Sequence, residues 1–349
     1  MKPVLPDESS FPADGTPAEK LRFLVHWGVL APSSHNSQPW LFIMRDDHVA
    51  IHADRSRALP VVDPHDRELA ISCGCALMYL RVAAAHYDVP VRVYRNTEEE
   101  SDLLASLYYD ESAPAQNALA ALFECLPKRV TNRFAYVEDS VSEEQLSLFA
   151  EICAAHRVIM RSYHDDFARH AIADRISRSD RKQMASKAYR RELASWLHHN
   201  RSRSLDGMPG FTQGMGEFMS LAAPIAVRTF DLGEGQAAKD LELAEHSPAL
   251  CIFGTNKDHH SDWVRTGEAL AQVLLVAAQQ GLAASFLNQP IEIDIMRTEL
   301  AKHVGLRFPQ ILIRVGKPTR ESKHTPRRPA GVVTIEATEP EDFEAFQGF

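Results

Sequence analysis

Apolar residues along the chain fall into a few distinct periods. Leu21, Leu24, Trp27 and Gly28 recur at helical spacing. Ahead of them, Thr16-Pro17-Ala18-Glu19 supplies a capping residue, a proline at the first helical position and the glutamate of a capping box. This first helix must end near Leu30, because Pro32 pushes Ala31 out of the α region. LFIM (41–44) and VAIHA (49–53) predict two short strands joined by the polar turn RDDH. Residues 67–87 predict a second, mostly apolar helix, and VPVRVY (89–94) a strand after it.

The second half restarts this plan. Ser142-Glu143-Glu144-Gln145 is again a capping box, with Leu146, Phe149 and Ile152 following at helical spacing. RVIMR (157–161) and PALCIFG (248–254) predict strands. An internal echo follows. GCALMYLRVAAA (74–85) and GEALAQVLLVAA (267–278) share Gly74/Gly267, Ala76/Ala269, Leu77/Leu270, Ala84/Ala277 and Ala85/Ala278 at one constant offset. Helices apolar nearly all round are buried, and their small residues let backbones approach closely. Two diverged copies of one half-domain, with their central helices packed together, are therefore expected. Alanine-rich helices also resemble each other by chance, so the echo alone does not decide the matter.

Between these elements, about residues 164–222 are extra. One long helix is predicted over 179–200, with Tyr189, Leu193, Trp196 and Leu197 on one side. A loop rich in glycine follows, with Gly207, Pro209, Gly210, Gly214 and Gly216. Long inserts of this kind tend to be lids or binding loops.

Composition narrows the function classes. The 349 residues are 45% hydrophobic and 24% charged, as in a folded domain, with a net charge of −9. A general affinity for nucleic acid is not suggested, so any anion site must be a local arginine cluster. No uninterrupted apolar run approaches the roughly 18 residues of a bilayer span, and the acidic, proline-rich start has no secretory core. A cytoplasmic protein that engages no membrane is the expectation. The five cysteines are odd in number and lack metal-ligand spacing, which suits buried thiols in a reducing compartment. No metal is expected.

Candidate chemistry gathers in three places. The loop APSSHNSQPW (31–40) packs Ser33, Ser34, Asn36 and Gln38 into one turn, donors and acceptors without permanent charge. Taken alone it is a turn. KRVTNR (128–133) and TPRRP (325–329) combine arginines with hydroxyls, the means of gripping a phosphate. Taken singly each is a solvated basic patch; converging, they would make a monophosphate site. Neither GxGxxG nor GxxxxGK[ST] nor GxSxG is present.

In this order the motifs resemble the nitroreductase superfamily of FMN proteins, and within it the Acg-like, dormancy-associated branch. The resemblance runs over roughly residues 16–335. It rests on APSSHNSQPWLF, on ADRSRALPVVDPHDRELAISCGCAL, on KRVTNRFAY, YRRELASW, DGMPG, PQILIRVGKP and TPRRP, and on DWVRTGEALAQVLLVAAQQGLAASFLNQPIE. It implies an α+β, nitroreductase-like fold: two fused half-domains, each a small mixed sheet flanked by helices, with the central helices at a pseudo-two-fold interface. The copies would be 1–127, with the serine/asparagine loop, and 128–349, with the arginine grip and the lid-like insert. In ordinary nitroreductases one subunit of a homodimer supplies the arginines and the other the serine loop. Here each motif occurs in only one copy, which implies one FMN site per chain.

Position by position, the resemblance implies that Arg129, Thr131 and Arg133 hold the FMN phosphate and ribityl end. Arg327 and Arg328 would close from the C-terminal side. Pro32, Ser33, Ser34 and Asn36 would contact the ring or ribityl chain, and Gln38 would brace their loop. Leu287 and Asn288, after Phe286, are the candidates to aim a backbone N–H at flavin N5. Relatives often have an acidic residue and a glycine there, which leaves that contact open. No catalytic side chain is assigned. The implied activity is hydride transfer from NADPH or NADH through FMN to a small electron-poor acceptor such as a quinone or nitroaromatic. The alternative is an FMN storage protein whose lid covers the flavin. Fusion makes a monomeric pseudo-dimer plausible, and a further homodimer stays open.

Overall fold

A computed structural model describes residues 5–98, 101–138 and 140–337. In it the first capping box closes: Thr16 N donates to Glu19 Oε2 at 2.7 Å, and Glu19 N donates to Thr16 Oγ1 at 3.3 Å. Helix α1 (Pro17–Gly28) buries Leu21, Leu24 and Trp27. After it the chain forms β1 (Trp40–Met44), β2 (His48–Ala53), α2 (Arg67–His86), β3 (Val91–Arg95), β4 (Leu103–Tyr109) and the short α3 (Asn117–Ala120). β4 had no counterpart among the expected strands.

The second half opens with β5 (Tyr136–Val137), α4 (Glu143–Ala155), under its Ser142–Gln145 box, and β6 (Ile159–Tyr163). The expected helix over 179–200 is in fact two, α5 (Asp166–Ala185) and α6 (Lys187–Trp196). Ser186 separates them. Its backbone is extended and its side chain accepts from Tyr189 N, so it stops one helix and caps the next. Then come β7 (Leu197–His198), β8 (Met208–Pro209), α7 (Glu217–Thr229) and α8 (Gly233–Glu245). Pro224 lies inside α7, which hides that helix from a periodicity reading because proline ordinarily breaks one. The half ends with β9 (Ala249–Thr255), α9 (His260–Gln279), β10 (Ala283–Phe286), α10 (Gln289–Glu292), α11 (Asp294–Val304) and β11 (Phe308–Pro318). Last are α12 (Ala330–Val333) and β12 (Thr334–Glu336).

Two main sheets result, ordered β12-β1-β2-β4-β3 and β10-β11-β9-β6, with β5 at the end of β11. The first is mixed, because β12 lies parallel to β1 with Ile335 opposite Ile43. The named strands of the second pair antiparallel, and an isolated bridge sets Thr131 parallel to Ala284 of β10. The parallel strand of the first sheet is donated from the far end of the described chain.

Helices α2 and α9 cross between the sheets. The matched glycines of the internal echo meet there. A Cβ on Gly74 would lie 2.2 Å from Val264 O, and one on Gly267 would lie 2.0 Å from Ile71 O. Backbone therefore touches backbone, and no larger residue fits at either position. α2 alone among the described helices is long and apolar enough to cross a bilayer, but its sides are buried by the rest of the molecule. All five cysteines are buried and unpaired.

Candidate functional site

The serine/asparagine loop leaves α1 in an unusual backbone. His35, Asn36 and Gln38 all have positive φ, at 51°, 54° and 54°. Left-handed conformations of non-glycine residues cost about 1–3 kcal/mol each and persist only where the surroundings impose them. Here they do. Gln38 N donates to Ser33 Oγ at 2.9 Å, and Gln38, fully buried, donates through Nε2 to Leu205 O at 2.8 Å. Its Oε1 accepts from Arg328 N at 2.7 Å. Asn36 Nδ2 donates to Gly207 O at 3.0 Å and Pro326 O at 3.1 Å, while its Oδ1 accepts from Arg327 Nη1 at 2.7 Å. Gln38 thus braces the loop, and Asn36 ties it to two distant segments.

Those ties bring the three candidate clusters together. Pro32, Ser33, Asn36, Arg129, Thr131, Arg133 and Arg327 line a small pocket of about 40 Å³. Pro32, Ser33, Thr131 and Arg133 also line an adjoining cavity of about 330 Å³, together with Ser34, Leu287 and Asn288. Arg328 alone stays outside both. Its Nη1 turns instead to Gln38 O at 3.2 Å and Asp54 Oδ2 at 3.3 Å.

The small pocket is cationic and uncompensated. Arg129, Arg133, Lys323 and Arg327 line it, and no carboxylate does. Arg129 is 7% exposed and spends its Nε on Tyr79 Oη at 2.7 Å. Burial, then repulsion from Arg129, pull Arg327 down to about 9, and its buried Nε has no partner. Unpaired buried cations are costly, so this geometry calls for an anion from outside. Burial, then the charge of Arg133, hold His35 down at about 4, so this residue of the larger cavity is neutral near pH 7.

At the other wall, Leu287 N already donates to Leu312 O at 3.0 Å. Asn288 is fixed through its side chain, donating to Glu68 Oε1 at 3.1 Å and accepting from Leu312 N at 2.9 Å. Glu68 in turn accepts from Ser34 Oγ, joining this wall to the serine loop. Tyr189, Leu193 and Leu197 from α6 and β7 cover the cavity, with Met208 from the glycine-rich loop. Trp196 faces elsewhere, 5.7 Å from Arg57.

No family model matches the chain. Among curated proteins, "Putative NAD(P)H nitroreductase Rv3131" of Mycobacterium tuberculosis (strain ATCC 25618 / H37Rv) is 31% identical over 305 residues, covering 86% of this chain and 85% of its own. This chain belongs to that NAD(P)H nitroreductase family. A second nitroreductase, Acg of the same strain, is 28% identical over 317 residues, covering 88% of this chain and 93% of its own. Among solved structures, the FMN and NADPH-dependent nitroreductase NfnB of sphigopyxis sp. strain HMH aligns at TM-score 0.42 and 16% identity, over 62% of this chain and 99% of its own.

For a nitroreductase-family oxidoreductase, the residues that the sequence reading passed over are informative. His35 sat inside the quoted loop but carried no assignment. Asp180, Asp240 and Glu292 line the larger cavity yet come from α5, α8 and α10. They sit on three helices far apart in sequence, so no spacing signal joins them.

Proposed function

We propose that this chain binds one FMN in the joined pockets and moves hydride from NADPH or NADH to a small electron-poor acceptor. The observation that carries this reading is an arginine pocket without a carboxylate that shares Pro32, Ser33, Thr131 and Arg133 with a larger cavity. Buried guanidiniums without a carboxylate fit a phosphate, and a cavity of about 330 Å³ is of ligand size. Arg129, Thr131, Arg133 and Arg327 would hold the phosphate and ribityl end, and Pro32, Ser33, Ser34 and Asn36 the far side. Bound there, FMN supplies two-electron chemistry at its ring. Arg133, which lines both pockets, stabilises negative charge gathering at their junction. With the Leu287 N–H already engaged, the N–H of Asn288 is the better candidate to face the ring. The two halves of the chain, 1–127 and 128–349, would each contribute one side of a single site.

One observation favours a second reading, storage of FMN under a closed lid. The insert is fastened down: Glu192 on α6 accepts from Val61 N and Val62 N, each at 2.9 Å, and Asp206 pairs with Arg57. Anaerobic addition of NADPH, then NADH, to the purified protein separates the two. Bleaching of the flavin band within seconds is expected for the oxidoreductase and sinks storage. A yellow protein inert to both nucleotides but bleached by dithionite sinks turnover. A colourless protein that stays so with added FMN overturns both.

A further inference from the structure

The larger cavity also holds a cluster of acids. Asp180, Asp240 and Glu292 line it, against an apolar wall that includes Met184, Leu193, Leu197 and Val227. None of the three acids forms an ion pair among the described residues. Side-chain amides serve them instead. Gln289 Nε2 donates to Asp180 Oδ1 at 3.0 Å and to Asp240 Oδ2 at 2.9 Å, Gln236 Nε2 to Asp240 Oδ2 at 2.7 Å, and Gln183 Nε2 to Glu292 Oε2 at 2.5 Å.

These donors leave a surplus of acceptors. Asp180 is 3% exposed, and its Oδ2 has no partner; the buried Oε1 atoms of Gln183 and Gln289 have none either. A buried polar atom left unpaired costs about 1–3 kcal/mol. Asp180 and Gln289 line the cavity, so two of these unfilled acceptors belong to its wall. We propose that this acidic cluster is a recognition subsite for a cationic nitrogen, so that the preferred acceptor is an apolar, ring-sized molecule carrying a protonated amine or amidine.

Charge favours that choice over a neutral alcohol or amide. Burial, then the proximity of Asp240, push Asp180 upward, and burial pushes Asp240 up as well. Glu292 is driven well above the carboxylate range by burial, then by Glu68. An arriving ammonium lets these acids ionise, fills the vacant acceptor positions and recovers part of the desolvation cost. The groups that oppose it are Lys239, exposed beside Asp240, Arg133 and Arg314, which also bear on Asp240, Arg181, which bears on Asp180, and Arg67, which bears on Glu292. An anionic substrate keeps these acids protonated and gains no ion pair from them.

The inference rests on the flavin reading for the word acceptor, but its test does not. 4-Nitrobenzylamine, 4-nitrobenzyl alcohol and 4-nitrobenzoate share one ring and differ in charge. Calorimetric titration of the protein as purified, at pH 7, should rank them in that order. The amine should bind at least tenfold more tightly than the alcohol. Asp180→Asn should lower amine affinity about tenfold and leave the alcohol within twofold. Equal affinity for amine and alcohol overturns the subsite, as does an amine affinity untouched by Asp180→Asn. If that variant does not fold, the wild-type ranking still decides. FMN content measured on the same samples separates the readings. A flavin-free protein with the expected ranking sinks the flavin reading alone, and a flavin-loaded protein without it sinks the subsite alone.

Discussion

Two buried charge clusters in this molecule are built on opposite terms. Around Glu268, which is fully buried on α9, Arg81 Nη1 approaches Oε1 at 2.8 Å, and Arg95 reaches Oε2 at 2.6 Å and Oε1 at 3.0 Å. Burial pushes the carboxyl up, but the two guanidiniums outweigh it and hold Glu268 below the ordinary range. Around Tyr79, by contrast, Arg129 and Arg327 share a pocket with no carboxylate, and each arginine raises the cost of the other. The first cluster is complete within the chain and ties strand β3 to the central helices. The second is complete only with something added. Each has a buried member, Glu268 in one and Arg129 in the other, so burial alone does not mark a binding site. The missing counter-charge does.

Breaking each cluster should therefore have different consequences. Removing the carboxylate in Glu268→Ala strands two arginines, and the expected loss is about 3–5 kcal/mol, read by denaturant unfolding with and without FMN. A loss below about 1 kcal/mol would mean that solvent reaches this cluster after all. Arg129→Met removes a cation that lacks a partner. Its stability should stay within about 1 kcal/mol of wild type, because the lost bond to Tyr79 is offset by relief of charge repulsion. Its affinity for FMN should fall about 100-fold, the scale of one or two charge-assisted hydrogen bonds, read by flavin retention on gel filtration. Full flavin occupancy would refute the phosphate assignment.

The smallest effect concerns pH. Asp180, pushed up to about 8 by burial and then by Asp240, binds its proton more tightly folded than unfolded. For such an acid, folding stability declines as pH rises from the unfolded value near 4 toward 8. Asp180→Asn should remove that decline. The variant should melt a few degrees above wild type at pH 8 and close to it at pH 4, by calorimetry without ligand. Parallel melting curves at both pH values would show that the carboxylate is already compensated.

Much of this was legible beforehand, for local reasons. The capping boxes at Thr16 and Ser142 need only residues three apart, so a four-residue pattern states them in full. Gly74 and Gly267 stood out because two helices that touch along their backbones must repeat small residues at one spacing. Pro32, Ser33, Ser34 and Asn36 were visible through the density of polar side chains, and Arg129, Arg133 and Arg327 through clustering of charge. Arg328 looked equivalent to Arg327, since neighbouring residues in a loop carry no sign of which one turns inward. Ser186 read as an ordinary helical residue, because a cap differs from an interior serine only in its backbone angles. Pro224 concealed α7 by the same token.

The sequence by itself therefore determined many of the helices and strands, pointed to the two helices that touch, and marked which loops carry neutral donors or positive charge. These are properties of neighbours along the chain. Tertiary structure alone decided that β12 crosses back to β1, that Leu287 spends its N–H on Leu312, and that Asp180, Asp240 and Glu292 share a cavity with Arg133 and Arg314. Each depends on segments more than ten residues apart meeting in space. Whether a buried charge is balanced is a sum over all of them, and no single stretch of sequence contains it.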